Sequence, residues 1–356
     1  DTMDRYLEAG VLEELPPGLM ATWRCNESGT LARKGILLCV DLERYDYRKG
    51  SAALIRATEG TIVERIPPRL RVRERAALEV PHVMMLIDDP DHTVVEPLHR
   101  RLTGQKPVYD TLLMQGGGHI RGWHTSDPQD IQSVLDALNG LYERSIARGS
   151  EPLLFAVGDG NHSLATAKTH WEQLKPSLPP KKAEKHPARF ALCEVVNLYD
   201  DGIRMEPIHR LLFNIEPQKA LDILLKHYAT VGLNAKLLPD GQPIPSEGHA
   251  FSLFGKDIGG VLHIDASQTG IAAEALQAGL DALLDVLPEA RIDYIHGAKA
   301  LKALSAQPER LGFLLPQLQK HMLFDTVMRG EVLPRKAFTI GEADEKRFYM
   351  ESKRIR

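Results

Sequence analysis

Six consecutive residues, Gly158-Asp159-Gly160-Asn161-His162-Ser163, combine the side chains and the backbone freedom that anion chemistry needs. Gly158 and Gly160 carry no Cβ, so a ligand can approach the main chain closely there. Asp159 can take up a proton or ligate Mg2+. His162 can donate to a phosphate or act in acid–base transfer. The apolar run Leu153-Leu154-Phe155-Ala156-Val157 precedes the segment and predicts a central strand, and a helical stretch from Leu164 to about Leu174 follows it. A helix start presents unpaired N–H groups and a positive dipole end, both favourable to phosphate. The same spacing also describes a plain turn capped by Asp159 or Asn161, with His162 packed structurally, because strand–glycine–helix turns occur in folds of many functions.

A second segment, Arg56-Ala57-Thr58-Glu59-Gly60-Thr61, has the makings of a partner. A carboxylate such as Glu59 can deprotonate a hydroxyl nucleophile as general base. Thr58 and Thr61 can hydrogen-bond a ligand, and Arg56, Arg65 and Arg69 can pair phosphate oxygens in bidentate fashion. Its plainer description is a solvated charged loop whose ion pairs contribute little. Lys336, in a Pro-bounded turn, is either a phosphate contact or a solvated surface lysine. His209 and Arg210 could reach a ligand from a strand end, but read first as side chains packed in the core. His82, His92, His99, His119 and His124 lack a metal-ligand spacing. Gly116-Gly117-Gly118 lacks the lysine and helix of a phosphate loop and reads as a hairpin turn.

These segments need a frame, and the pattern predicts one of alternating strands and helices, an α/β (mixed α+β) fold with a mixed sheet and flanking helices. Leu19–Cys25 and Gly35–Val40 form a hairpin around Asn26-Glu27-Ser28-Gly29. The chain from Asp41 to Gly50 is a polar loop rich in Tyr, Arg and Asp. Pro68 opens a helix to about Glu79, and Val83–Ile87 is a buried strand ending in Asp88-Asp89-Pro90. Asp127 and Pro128 start an amphipathic helix that Gly149 stops. Lys175 to His186 reads as a surface loop, and Phe190–Leu198 as another strand. Helices are expected at Pro217–Tyr228, Ile271–Leu287 and Gly297–Leu304, and strands at Ala250–Phe254, Gly259–Ile264 and Arg291–Ile295. The expected division is a phosphate-binding core over 1–180 and an α/β elaboration over 187–356.

The 356 residues carry 44 basic and 48 acidic side chains, a net charge of −4, which argues against a dedicated nucleic-acid binder. Cys25, Cys39 and Cys193 are too few and too scattered for a disulfide framework or a four-thiolate zinc site, and read as buried thiols of a reducing, cytoplasmic protein. No apolar run approaches the roughly 20 residues that span a bilayer. Asp1-Thr2-Met3-Asp4 opens an acidic, helix-like segment rather than a signal peptide.

Across nearly its whole length the chain resembles the prokaryotic family numbered 1015 among domains of unknown function. The resemblance rests on Arg56–Thr61 with Glu64-Arg65-Ile66-Pro67-Pro68-Arg69, on Gly158–Ser163, and on Leu333-Pro334-Arg335-Lys336. Members usually read Asp-Gly-His-His-Arg at the central motif, so Asp159, Gly160 and His162 carry over, while Asn161 and Ser163 depart. That motif is in turn similar to the ParB/sulfiredoxin-like superfamily, which includes a nucleotide-dependent free-serine kinase, CTP-hydrolysing partition proteins and sulfinic-acid reductases. The resemblance implies nucleotide phosphates (ATP or ADP) on the helix opening at His162, with Mg2+ near Asp159. Phosphate contacts would come from Arg56, Thr58, Arg65, Arg69, Gly158, Gly160, Asn161, Ser163 and Lys336, and catalysis from Glu59, Asp159 and His162. The expected function is a small-molecule kinase acting on a hydroxyl-bearing metabolite such as a hydroxy amino acid. The alternatives are a nucleotide-dependent switch protein, or a hydrolase or lyase acting on an anionic metabolite. Sulfinic-acid reduction would need a cysteine in the motif, where this chain has only Ser163. The expected partner is a small-molecule substrate rather than nucleic acid or membrane, and a homodimer is left open.

Overall fold

The computed structural model describes residues 2–80, 83–149, 151–265, 270–331, 333, 336–341 and 348–356. The chain divides into two compact units: Asp1–Arg204 with Lys320–Val332 and Ile340–Arg356, and Met205–Gln319 with Leu333–Thr339. The division falls at 204/205 rather than between 180 and 187. The strand Phe190–Asn197 lies inside the first unit's sheet, so the chain cannot leave that unit before it.

The strands of the first unit are β1 Leu19–Cys25, β2 Ala32–Asp41, β3 Tyr45–Asp46, β4 Ile55–Ala57, β5 Leu78–Glu79, β6 Met84–Ile87, β7 Tyr109–Leu112, β8 His119–Thr125, β9 Phe155–Asp159 and β10 Phe190–Asn197. Its helices are α1 Thr2–Glu8, α2 Ile66–Arg73, α3 Val95–Leu102, α4 Pro128–Ala147, α5 Asn161–Leu174 and α6 Pro180–Lys185. Nine strands make one mixed sheet in the order β3-β4-β9-β6-β10-β2-β1-β8-β7. β3, β4 and β9 run parallel, β6 opposes β9, and β6 and β10 are parallel to each other. The middle strands are buried on both faces. Met84–Ile87 and Phe155–Val157 sit in the core, which explains why these runs are continuously apolar instead of alternating.

Local chemistry sets the helix ends. Asp127 Oδ1 accepts Gln129 N–H at 2.9 Å, Pro128 fills the first turn of α4, and Gly149 takes a φ of 72° just beyond its end. Trp171 is fully buried and donates its indole N–H to Glu43 Oε1 at 2.7 Å, fastening the far half of α5 to the unit. Two segments differ from expectation. α2 stops at Arg73, because Leu78 pairs with Arg354 of a short C-terminal strand. The stretch Lys175–His186 is not a bare loop; it contains α6, opened by Pro180. Cys25 and Cys193 are buried as expected, whereas Cys39 lies on the exposed side of β2.

The second unit is antiparallel: β11 Met205–Phe213, β12 Asn234–Leu238, β13 His249–Gly255, β14 Gly259–Asp265, β15 Arg291–His296 and β16 Arg310–Leu314, in the order β12-β14-β13-β16-β11-β15, with β17 Phe338–Ile340 also on β11. Its helices are α7 Pro217–Thr230, α8 Ala272–Val286 and α9 Ala298–Ser305. α7 and α8 meet where Tyr228 donates to Ala275 O at 3.0 Å, over Gly279, where a Cβ would stand 2.3 Å from that hydroxyl. α10 Lys320–Met328 and β18 Lys353–Arg354 return to the first unit. The described residues thus form a mixed α/β protein with a large mixed sheet and ten α-helices.

Candidate functional site

The two sequence segments converge because of one strand pairing. β4 and β9 are adjacent and parallel, with Ile55 opposite Phe155, Arg56 opposite Ala156 and Ala57 opposite Val157. Their carboxyl ends therefore open at the same edge of the sheet, where ligands of open α/β sheets bind. The chain leaving β4 is Thr58–Ile62, and the chain leaving β9 enters α5. Thr58 is fully buried and donates its hydroxyl to Val157 O at 2.7 Å, tying the two strand ends together. Ile62 N–H donates to His162 Nε2 at 3.1 Å, closing the gap a second time. Consecutive Cα atoms lie 3.8 Å apart, so Glu59 is held within about 11 Å of Ile62 at the level of Cα.

The turn itself is built on two glycines. The pairing of β9 with β6 shifts register, Val157 facing Met85 and Asp159 facing Met84, so Gly158 is the extra residue of a bulge. A Cβ at Gly158 would lie 2.8 Å from Leu86 Cγ and 2.9 Å from Ile340 Cδ1. Gly160 caps α5 in the left-handed region, φ 84° and ψ 20°, and no side chain caps the helix. The N–H groups of Asn161, His162 and Ser163 head a 14-residue helix and have no intrahelical acceptors. Asp159 belongs to the strand, not to the turn, and its Oδ1 accepts Gly160 N–H at 2.7 Å. Two oxygens at this edge, Thr61 Oγ1 and Asn161 Oδ1, are buried without a hydrogen-bond partner. Rotating the Asn161 amide by half a turn would offer Nδ2–H at that point instead.

The expected contacts separate into four groups. Glu59, Asp159, Gly160, Asn161, His162 and Ser163 are half-buried at the shared edge, with Gly158 beneath it. Arg65 and Arg69 are exposed at the start of α2, where Arg69 donates to Arg65 O at 2.9 Å, and α2 packs on α5. Arg56 departs from expectation: it is 3% exposed, and its guanidinium donates to Ser51 O, Val327 O, Glu151 O and Pro152 O at 2.9 to 3.3 Å. Burial lowers its pKa, and its Nη1 and Nη2 donors go to main-chain carbonyls instead of phosphate, while Nε is buried without a hydrogen-bond partner. Thr58 is likewise spent on Val157. Lys336 belongs to the second unit, where its ammonium stands 4.5 Å from the Tyr294 ring centroid. Pro334 and Arg335 of the same motif, and His82, lie outside the described residues.

His209 and Arg210 are buried in the second unit; His209 Nδ1 accepts Leu315 N–H at 3.2 Å and Arg210 donates to Gln277, Ile208 and Lys336. No group of three His, Cys, Asp or Glu among the described residues is placed to hold a metal ion. Among the described residues, no helix is long and apolar enough to cross a membrane. The expected polar loop from Asp41 to Gly50 contains β3, and Tyr45 and Asp46 of that strand with Tyr47 and Arg48 after it line a cleft of about 620 Å3 against α5.

A large mixed sheet with flanking helices, whose parallel strands β4 and β9 end at one edge beside the start of α5, defines a mixed α/β protein. The chain belongs to the family described as "Protein of unknown function (DUF1015)", whose model matches residues 1–283. No curated protein matches it. Similar solved structures include a conserved hypothetical protein from Pyrococcus furiosus, with 12% identity and a TM-score of 0.42 over 86% of this chain and 91% of that one. Free serine kinase in complex with AMP shows 11% identity and a TM-score of 0.43 over 86% and 87% of the two chains. SbnI with C-terminal truncation from Staphylococcus aureus shows 10% identity and a TM-score of 0.42 over 86% and 83%.

Proposed function

We propose that the chain is a nucleotide-dependent phosphotransferase acting on a small hydroxyl-bearing metabolite, such as a hydroxy amino acid. The observation that carries this reading is the paired edge of β4 and β9, where the Ile62–His162 hydrogen bond holds the Glu59 loop against the uncapped start of α5. The first-turn N–H groups of α5 would take the nucleotide phosphates. Gly158 and Gly160 let the main chain come close, and Arg65 and Arg69 offset charge from α2. Glu59 would take the proton of the acceptor hydroxyl as its oxygen attacks the terminal phosphorus. The bond to the bridging oxygen then breaks, and the nucleotide leaves one phosphate shorter. His162 acts as a positioning residue, since its Nε2 is occupied by Ile62.

The donor set fits Mg2+ in one respect: this ion is commonly bound by one or two carboxylates together with water and substrate phosphates, and Asp159 supplies such a carboxylate at the strand end. Asp159 would hold the ion, which neutralises phosphate charge when bound.

Phosphoryl transfer from ATP and from ADP should be assayed over a panel of hydroxyl metabolites, with Glu59→Gln, Asp159→Ala and His162→Ala alongside. Transfer by the wild type and its loss in the Glu59 and Asp159 variants is the expected result. Undiminished transfer in Asp159→Ala and His162→Ala would remove the site from this edge.

A further inference from the structure

β3 runs parallel to β4, with Tyr45 opposite Ile55 and Asp46 opposite Arg56, so the chain leaving β3 emerges at the same edge as the proposed phosphate site. With Glu43 and with Ser51–Ala53, which precede β3 and β4, it lines one side of the cleft of about 620 Å3 that runs along α5, and Lys168 and Glu172 of α5 line the other. That volume lies within the roughly 300–1,000 Å3 of small-molecule sites. Lys168 and Glu172 follow Asn161 by seven and eleven residues, close to two and three helical turns, so all three share one face of α5. The cleft therefore begins about 10 Å down the helix from the first-turn N–H groups, along the line of Asn161.

Its lining is polar and aromatic. The Tyr45 and Tyr47 ring centroids stand 6.1 Å apart. Tyr45 is 1% exposed, and its hydroxyl has no hydrogen-bond partner in the wall it helps to form. The charges largely cancel within the lining. Asp46 holds Arg48 at 2.7 Å, and Glu172 holds Lys168 at 3.0 Å. Both cations are thus already matched to carboxylates, which disfavours a phosphate here and suits a neutral, hydroxyl-rich group beside an aromatic ring. Carboxylates accept hydrogen bonds from ribose hydroxyls, and bases stack on aromatic side chains.

We infer that this cleft takes the nucleoside half of the nucleotide, with the base against Tyr47 and the ribose toward Asp46 and Glu172, while the phosphates lie on the first turn of α5. The inference rests on the reading of that turn as the phosphate site, and the two can fail separately. Calorimetry with ADP and with inorganic tripolyphosphate, which has no nucleoside, distinguishes them in the wild type, Tyr47→Ala, Glu172→Gln and the conservative Tyr45→Phe. The expected result is about tenfold weaker ADP binding in Tyr47→Ala, the scale of one base–aromatic stack. A smaller loss is expected in the other two variants, with tripolyphosphate binding unchanged in all three. If ADP and tripolyphosphate bind and no variant alters ADP, the cleft assignment is overturned and the phosphate site stands. Equal weakening of both ligands by all three variants also overturns it. Failure of the wild type to bind either ligand removes the phosphate site and the cleft assignment with it.

Discussion

His162 Nε2 accepts the main-chain N–H of Ile62 at 3.1 Å, joining the loop after β4 to the first turn of α5 across 100 residues of sequence. In the neutral imidazole this places the proton on Nδ1. His162→Ala should release the Ile62 amide and let the Glu59 loop drift from the helix start. Amide hydrogen exchange at Ile62 should accelerate, and tripolyphosphate affinity should fall about tenfold, the scale of one hydrogen bond to a charged group. Unaltered exchange and unaltered affinity together would show that this bond does not order the edge.

Gly158 has no room for a side chain. Gly158→Ala places a methyl group 2.8 Å from Leu86 Cγ and 2.9 Å from Ile340 Cδ1, inside a packed interior. Overpacking of this kind costs roughly 1–3 kcal/mol. Gly160→Ala meets strain of a different origin, a φ of 84°, costing about 1–2 kcal/mol. Urea denaturation of both variants measures these losses, and a Gly158→Ala protein as stable as the wild type would contradict the bulge packing.

Arg56 ties four main-chain carbonyls together from a buried position. A lysine ammonium is a single point and cannot reproduce that planar fork. Arg56→Lys should lose on the order of 3 kcal/mol through buried carbonyls left unpaired, while the folded fraction retains wild-type tripolyphosphate affinity. The reverse outcome, normal melting with weakened anion binding, would return Arg56 to the ligand.

His209 should make the second unit acid-sensitive. Its pKa falls from 6.5 to about 4, first because of burial and then because of Arg210 and His296. A base with a depressed folded pKa contributes stability that is fully present above the unfolded value. That stability drains away as pH falls from 6.5 toward 4, where the unfolded chain binds the proton more readily. The loss over this window is roughly 3 kcal/mol at 1.36 kcal/mol per pKa unit. His209→Asn, which keeps an acceptor for Leu315 N–H, should flatten that part of the stability curve measured by denaturation at several pH values. An identical slope in the variant would show that His209 is not the titrating group.

Local patterning determined a good deal of this protein. The apolar runs at 83–87 and 153–157 read as buried strands and Asp127-Pro128 as a helix start, as the structure has them over Met84–Ile87, Phe155–Asp159 and Pro128–Ala147. The pair of glycines around Asp159 required a turn in which a side chain would clash or strain. Gly158–Ser163 was therefore legible as a place where backbone and ligand could meet. The partners of that segment were not legible, because nothing local in Arg56–Thr61 says which strand β4 pairs with. Parallel pairing to β9 aligned the two strand ends, sent the Arg56 and Thr58 donors into main-chain carbonyls, and brought Ile62 to His162. The same non-local pairing carried Tyr45 and Tyr47 from what reads as a polar loop to the wall of a cleft beside α5. Sequence periodicity records which face of an element is buried, but not which neighbour buries it, and at this edge of the sheet the neighbours decide what each side chain is available to do.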